Sequence, residues 1–214
     1  MSSFEGILLN IPAIIFTLVI YEFSRAYAST KLGDPSPRIM GKLNLSPLSH
    51  IDPIGFMLLI LFNFGWSKAV FVDSRYYKDR KKGMILVTLS GTIGTFLLAF
   101  VSLALFKLLS QIITVSSFAH PLLPILANTV GVSIYFGLFS LIPLPPLAGF
   151  DLFAFFLDYK YYELIQFLRH YGNMILIFLI VLRIPEFLIG WPSYIVHNIL
   201  DFLTYPFGIM NPNL

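Results

Sequence analysis

The run from Met84 to Leu109 is long and apolar enough to cross a bilayer as one helix, since a helical span needs roughly 20 residues. Backbone placed in hydrocarbon must satisfy its own hydrogen bonds, which restricts the chain to helices or a closed barrel. Further apolar segments occupy 6–28, 121–142 and 171–205. The composition agrees, being 57% hydrophobic and 12% charged with a mean hydropathy of +0.82, outside the range of ordinary soluble domains. The reading is an all-α polytopic membrane protein, with 1–214 as a single membrane domain. Pro185 and Pro192 interrupt the last segment, so 171–205 is one kinked span or two. Residues 52–66 are apolar but too short to cross, and contain Pro53, Gly55 and Gly65. They are expected to form a re-entrant or extended segment between the first two full spans (6–28 and 84–109), sheltered by helices.

Charge orients the chain. The net charge is only +3, and the basic residues flank apolar segments, so the partner is a lipid bilayer and no nucleic acid is expected. Arg25, Lys31, Arg38 and Lys42 follow the first helix, and Lys68, Arg75, Lys78, Arg80, Lys81 and Lys82 precede the Met84 span. Both loops are therefore expected in the cytoplasm, with Ser110 to His120, which lacks Lys and Arg, outside. The expectation is a multi-pass protein of the cell membrane with its N-terminus outside and its first helix retained. Cysteine is absent, which excludes a disulfide framework and thiolate metal sites.

Residues 21 to 25 read Tyr-Glu-Phe-Ser-Arg at the polar end of the first helix. The spacing is that of H-E-x-x-H, in which two histidines one turn apart hold zinc and the glutamate activates water. Glu22 is present, with Tyr21 and Arg25 at the ligand positions. Tyrosine is a poor zinc ligand near neutral pH, and arginine has no lone pair to offer. A buried Glu22 needs a counter-charge, and Arg25 lies on the same helical face. The expected ion pair joins Arg25 to Glu22 and Asp151; the alternative is that Arg25 snorkels to cytoplasmic water.

Residues 32 to 55 contain Leu-Gly-Asp-Pro-Ser-Pro and then Gly-Lys-Leu-Asn-Leu-Ser-Pro-Leu-Ser-His-Ile-Asp-Pro-Ile-Gly. This stretch resembles the one that follows H-E-x-x-H in bacterial site-2 proteases, which are intramembrane zinc metalloproteases. Phe64-Gly65-Trp66-Ser67-Lys68, Ser90-Gly91-Thr92-Ile93-Gly94-Thr95 and Phe139-Ser140-Leu141-Ile142-Pro143-Leu144-Pro145-Pro146-Leu147-Ala148-Gly149 resemble further segments of that family. Together they cover most of residues 10 to 155. The resemblance implies a site-2-protease-like helical core and a zinc-dependent intramembrane protease.

The departures fall on the zinc site that the resemblance implies. Its third ligand, an Asp, is replaced by Ala148, two Asn positions by Ser140 and Thr95, and a Pro by Thr92. All three former ligand positions (Tyr21, Arg25 and Ala148) have lost their donors, so no zinc or other cofactor is expected, and Glu22 is a remnant of the general base. Glu22, Asp151 and His50 are the residues from which a substitute metal site could be built, although His50 also reads as a loop residue bonded to backbone. The resulting expectation is a catalytically inactive homologue, no longer an enzyme, that binds or regulates membrane proteins through their transmembrane segments. Two alternatives are an active metalloprotease with unusual ligands and a transporter-like membrane component.

Overall fold

The computed structural model describes residues 3–52, 67–112, 121–157 and 159–208. Their α-helices are α1 (Ser3–Lys31), α2 (Ser36–Ile39), α3 (Pro47–His50), α4 (Arg80–Ile112), α5 (Leu122–Phe139), α6 (Ala148–Phe156), α7 (Tyr162–Val181) and α8 (Ile184–Leu203). Four stretches are long and apolar enough to cross a membrane: Leu9–Lys31, Arg80–Gln111, Leu122–Phe139 and Tyr162–Val181. The chain is a polytopic helical membrane protein. Among the described residues the only β pairing is an antiparallel bridge between Ile51 and Ser67.

The helices overrun the apolar segments from which they were anticipated. The first extends from 6–28 to Ser3–Lys31 and the second from 84–109 to Arg80–Ile112, because polar turns at an interface lower hydropathy without ending a helix. The third stops at Phe139, before the anticipated 142; Ser140 and Leu141 close it by turn bonds, their N–H groups donating to Phe136 and Leu138 carbonyls. The 171–205 segment is two helices, with the break at Leu182–Arg183, where Arg183 takes a left-handed φ of 56°. Pro185 follows in the first turn of α8, where its missing N–H costs nothing. The anticipated re-entrant segment, 52–66, lies outside the described residues apart from Asp52.

Helices α1, α4 and α5 pack against one another as the centre of the molecule. Hydrophobicity cannot drive this contact inside lipid, so small residues and polar links do so. Gly91 of α4 lies against the Tyr21 ring, and Gly94 against Ser24. Thr17 Oγ1 and Ser133 Oγ are 2.9 Å apart, joining α1 to α5. Thr92 Oγ1 donates to the Gly137 carbonyl at 3.1 Å, joining α4 to α5. Ala99, Leu103, Val130, Ile134 and Leu200 form an apolar cluster that brings in α8. On the other side of α4, Leu86, Ile93, Leu97 and Val101 are exposed, a stripe at helical spacing that suits a lipid-facing surface.

The Leu-Gly-Asp-Pro motif is a corner held by one carboxylate. Gly33 turns the chain with φ +106°, a conformation that side chains rarely adopt. Asp34, fully buried, then accepts from Ser29 Oγ at 2.7 Å, the Ser36 N–H at 2.8 Å and the Asp73 N–H at 2.8 Å. Tyr77 Oη sits 2.7 Å from Ser29 Oγ. The end of α1, the start of α2 and the segment leading into α4 are thereby tied to one side chain. Burial alone would raise the Asp34 pKa, but these donors outweigh it and hold the carboxyl below its usual range.

Candidate functional site

The last turns of α1 present Tyr21, Glu22 and Arg25 to a cavity of about 340 Å³. The facing wall is residues Ser67 and Ala69, the next is Phe136, Phe139 and Ser140 at the end of α5, and Leu147 and Ala148 follow at the start of α6. Asn173, Leu176 and Ile177 of α7 close the remaining side. Four of the residues that depart from the site-2 protease pattern, Tyr21, Arg25, Ser140 and Ala148, therefore meet around one space. Ala148 reaches it because α6 starts there, and Gly149 allows that start: a side chain at 149 would collide with the Leu141 carbonyl.

Glu22 is 2% exposed and both of its oxygens are engaged. Oε1 accepts from Ser67 Oγ at 2.8 Å, and Oε2 from the Val70 N–H at 3.0 Å. Arg25 Nη1 is 3.6 Å from Oε2, a charge contact longer than a hydrogen bond. The Arg25 guanidinium also lies 5.7 Å from the centroid of the Tyr21 ring, within cation–π range. The third member anticipated for this pair is not in contact: among the described residues no ion pair joins Arg25 to Asp151. Asp151 is exposed and lines an adjoining cavity of about 600 Å³ together with Arg25 and Arg169. Arg25 is 6% exposed, so it does not extend into water as the snorkelling alternative required.

Tyr21 is wedged by its ring. It meets Phe136 edge-on, with centroids 5.0 Å apart, and abuts Gly91. Ser140 Oγ donates to the Gly137 carbonyl at 2.8 Å and lies 3.4 Å from Thr92 Oγ1. Two of the altered positions thus contribute to the contact between α4 and α5.

The wall at 67–70 is held by residues that carried only orientation or motif information in the sequence. Lys42 is 2% exposed, and its ammonium donates to the Ser49 carbonyl at 2.6 Å and the Lys68 carbonyl at 2.7 Å. The Lys68 N–H donates to the His50 carbonyl at 2.8 Å. His50 is fully buried, and its Nε2 lies 2.8 Å from the Asn44 carbonyl. Lys42, Ser67, Val70 and Asn173 were not anticipated as site residues. A lysine inside a Gly-Lys-Leu-Asn motif, and an amide within the apolar α7, were the available signals.

One curated relative matches. Over 145 residues, 65% of this chain and 66% of the relative, the sequence is 30% identical to "Putative zinc metalloprotease YwhC" of Bacillus subtilis. This match supports the resemblance to site-2 proteases. The match spans slightly less than two thirds of that relative's length. No family model and no solved structure matches the chain.

This similarity corrects one expectation. The changed ligand positions alone predict a chain that is no longer an enzyme; a relative named as a zinc metalloprotease points instead to a protease family. Missing ligands are not a measurement of turnover. Zinc itself does not fit the residues around the cavity. A catalytic zinc takes three protein ligands and an open position, whereas the site-2-protease-like cleft offers a phenol, a guanidinium and a methyl. Among the described residues no group of three or more His, Cys, Asp or Glu side chains is placed to hold a metal.

Proposed function

We propose that this site-2-protease-like cleft receives an extended stretch of another membrane protein's transmembrane segment, laid along residues 67–70. The observation that carries the reading is the way that wall is built. Its inward groups are committed to the protein: the Lys68 N–H and carbonyl to His50 and Lys42, and the Val70 N–H to Glu22. Extended backbone alternates, so the exposed Ala69 turns its own N–H and carbonyl the other way, along the cavity that it lines. A free edge beside a largely apolar cavity can take a peptide by strand addition. In this role Glu22 acts as the clasp that holds the edge in place.

A photoreactive amino acid at Ala69 or Asn173 tests this in nanodiscs, against a synthetic single-span peptide with a helix-breaking Asn-Pro at its centre. The expected result is a peptide adduct from both positions and none from the exposed Phe178 or Val181 of α7. Equal adducts from all four positions, or none from Ala69, would sink the reading. Peptide fragments appearing beside the adduct would extend it to proteolysis, which the relative's name supports.

We also propose that the chain lies in the cell membrane with its basic loops in the cytoplasm, by the positive-inside rule. Because the chain has no cysteine, single cysteines at Ser74 and Ser110 are unique labels. In intact cells a membrane-impermeant maleimide should reach residue 110 and spare residue 74. The reverse pattern would invert the topology.

A further inference from the structure

Two buried donors in the cleft are poorly satisfied among the described residues. Tyr21 is 3% exposed and Arg25 6%, yet Arg25 Nε has no hydrogen-bond partner among the described residues, and the Tyr21 hydroxyl has in reach only Ser140, with no well-formed bond to it. Buried polar groups are nearly always paired, and leaving one unpaired is costly. Four positions apart on α1, both residues line the same cavity of about 340 Å³. The polar neighbours already have partners of their own: Glu22 accepts from Ser67 and Val70, and the Ser140 hydroxyl donates to the Gly137 carbonyl. An incoming molecule can supply the missing oxygen.

Charge selects the kind of oxygen. The Arg25 guanidinium has Glu22 at 3.6 Å and is also within the electrostatic reach of Asp151. Glu22 already neutralises this buried cation, so an anion entering the cavity would meet the carboxylate's repulsion and find no unpaired positive charge. A neutral carbonyl carries acceptor lone pairs without that penalty. Extended peptide presents one such carbonyl for every N–H, in the alternating geometry that a partner lying along residue 69 would adopt.

We propose that Tyr21 and Arg25 form a two-donor site for a main-chain carbonyl oxygen of the bound peptide. The assignment rests on the peptide-binding reading above and names the point at which the peptide is gripped. Zinc ligands are replaced here by neutral and cationic donors, which hold a carbonyl by hydrogen bonds alone.

The test uses the same synthetic peptide carrying one isotopically labelled carbonyl near its Asn-Pro, with the full chain in nanodiscs. Infrared difference spectra should show the labelled band shifted to lower frequency on binding. Tyr21→Phe keeps the ring against Phe136 and Gly91 and removes only the hydroxyl. It should weaken binding roughly five-fold and move the band back towards its free position, with thermal stability unchanged or slightly higher. If the wild-type chain binds no peptide, both readings fall together. If it binds and Tyr21→Phe matches it in affinity and band position at every label tried, this one alone falls. Displacement of the peptide by acetate with a Tyr21-dependent affinity would overturn the neutral-acceptor assignment.

Discussion

Arg25→Leu should destabilise the protein by about 3–5 kcal/mol, the range found when one partner of a buried ion pair is removed. Glu22 would then sit 2% exposed without a counter-charge, in a span where an unpaired carboxylate is costly. Its bonds from Ser67 and the Val70 N–H would remain, but two donors do not replace a cation. Glu22→Gln combined with Arg25→Leu should recover most of that loss, because the neutral amide still offers one acceptor to the 67–70 wall and needs no partner charge. Unfolding of both variants in the same detergent, followed by helix content, measures the difference. Equal losses would show that Glu22 does not depend on Arg25.

A second large effect should follow from Asp34→Ala. The substitution removes the acceptor of three donors and leaves the Ser36 and Asp73 N–H groups unpaired in a buried corner. At about 1–3 kcal/mol for each unsatisfied group, the loss is on the order of 2–6 kcal/mol. It should appear as rapid proteolysis between Leu32 and Tyr77 before the helices unfold. The same carboxylate gives a pH signature. Its folded pKa lies below the usual value, so its contribution is complete above about pH 4 to 5, near the unfolded carboxylate value of about 3.9, and is lost as pH falls through the folded pKa. Asp73, held low by the hydrogen bond from Arg75, titrates in the same direction nearby. Asp34→Asn should therefore flatten only part of the acid slope of stability. An unchanged slope would remove Asp34 from the account.

The spans were legible in the sequence because burial in lipid leaves a continuous apolar record. Their ends were not, since Ser3 and Lys31, or Arg80, continue a helix into the polar interface where hydropathy has already fallen. The break at Arg183 was visible only as an ambiguity around Pro185, because a left-handed residue leaves no compositional mark when it is not glycine. Within the cleft, Tyr21, Glu22 and Arg25 followed from helical spacing, and Ala148 and Ser140 from motif position. What Glu22 grips could not be read, since Ser67 and Val70 lie 45 and 48 residues away and nothing local announces the contact. Lys42 was read for its sign alone, although it is a buried clamp on two carbonyls. Asp151 was placed one turn after Ala148 and does lie on α6, but its side chain opens into the neighbouring cavity and does not meet Arg25 in an ion pair.

Lys107 lies inside α4 and is 1% exposed. Its ammonium is 2.7 Å from Asp201 Oδ1 and donates to the Asp201 carbonyl at 3.1 Å. Its partner therefore arrives from α8, far later in synthesis than α4 itself. While the ribosome is still making α5 to α7, α4 holds an ammonium without its eventual counter-charge, and the insertion machinery must shelter it or leave that turn near the interface. The arrival of Asp201 completes the pair and docks α8, which is not among the four stretches apolar enough to span by themselves. A nascent chain stopped before residue 201 would keep the lone cation, giving membrane quality control a handle for distinguishing unfinished molecules from finished ones.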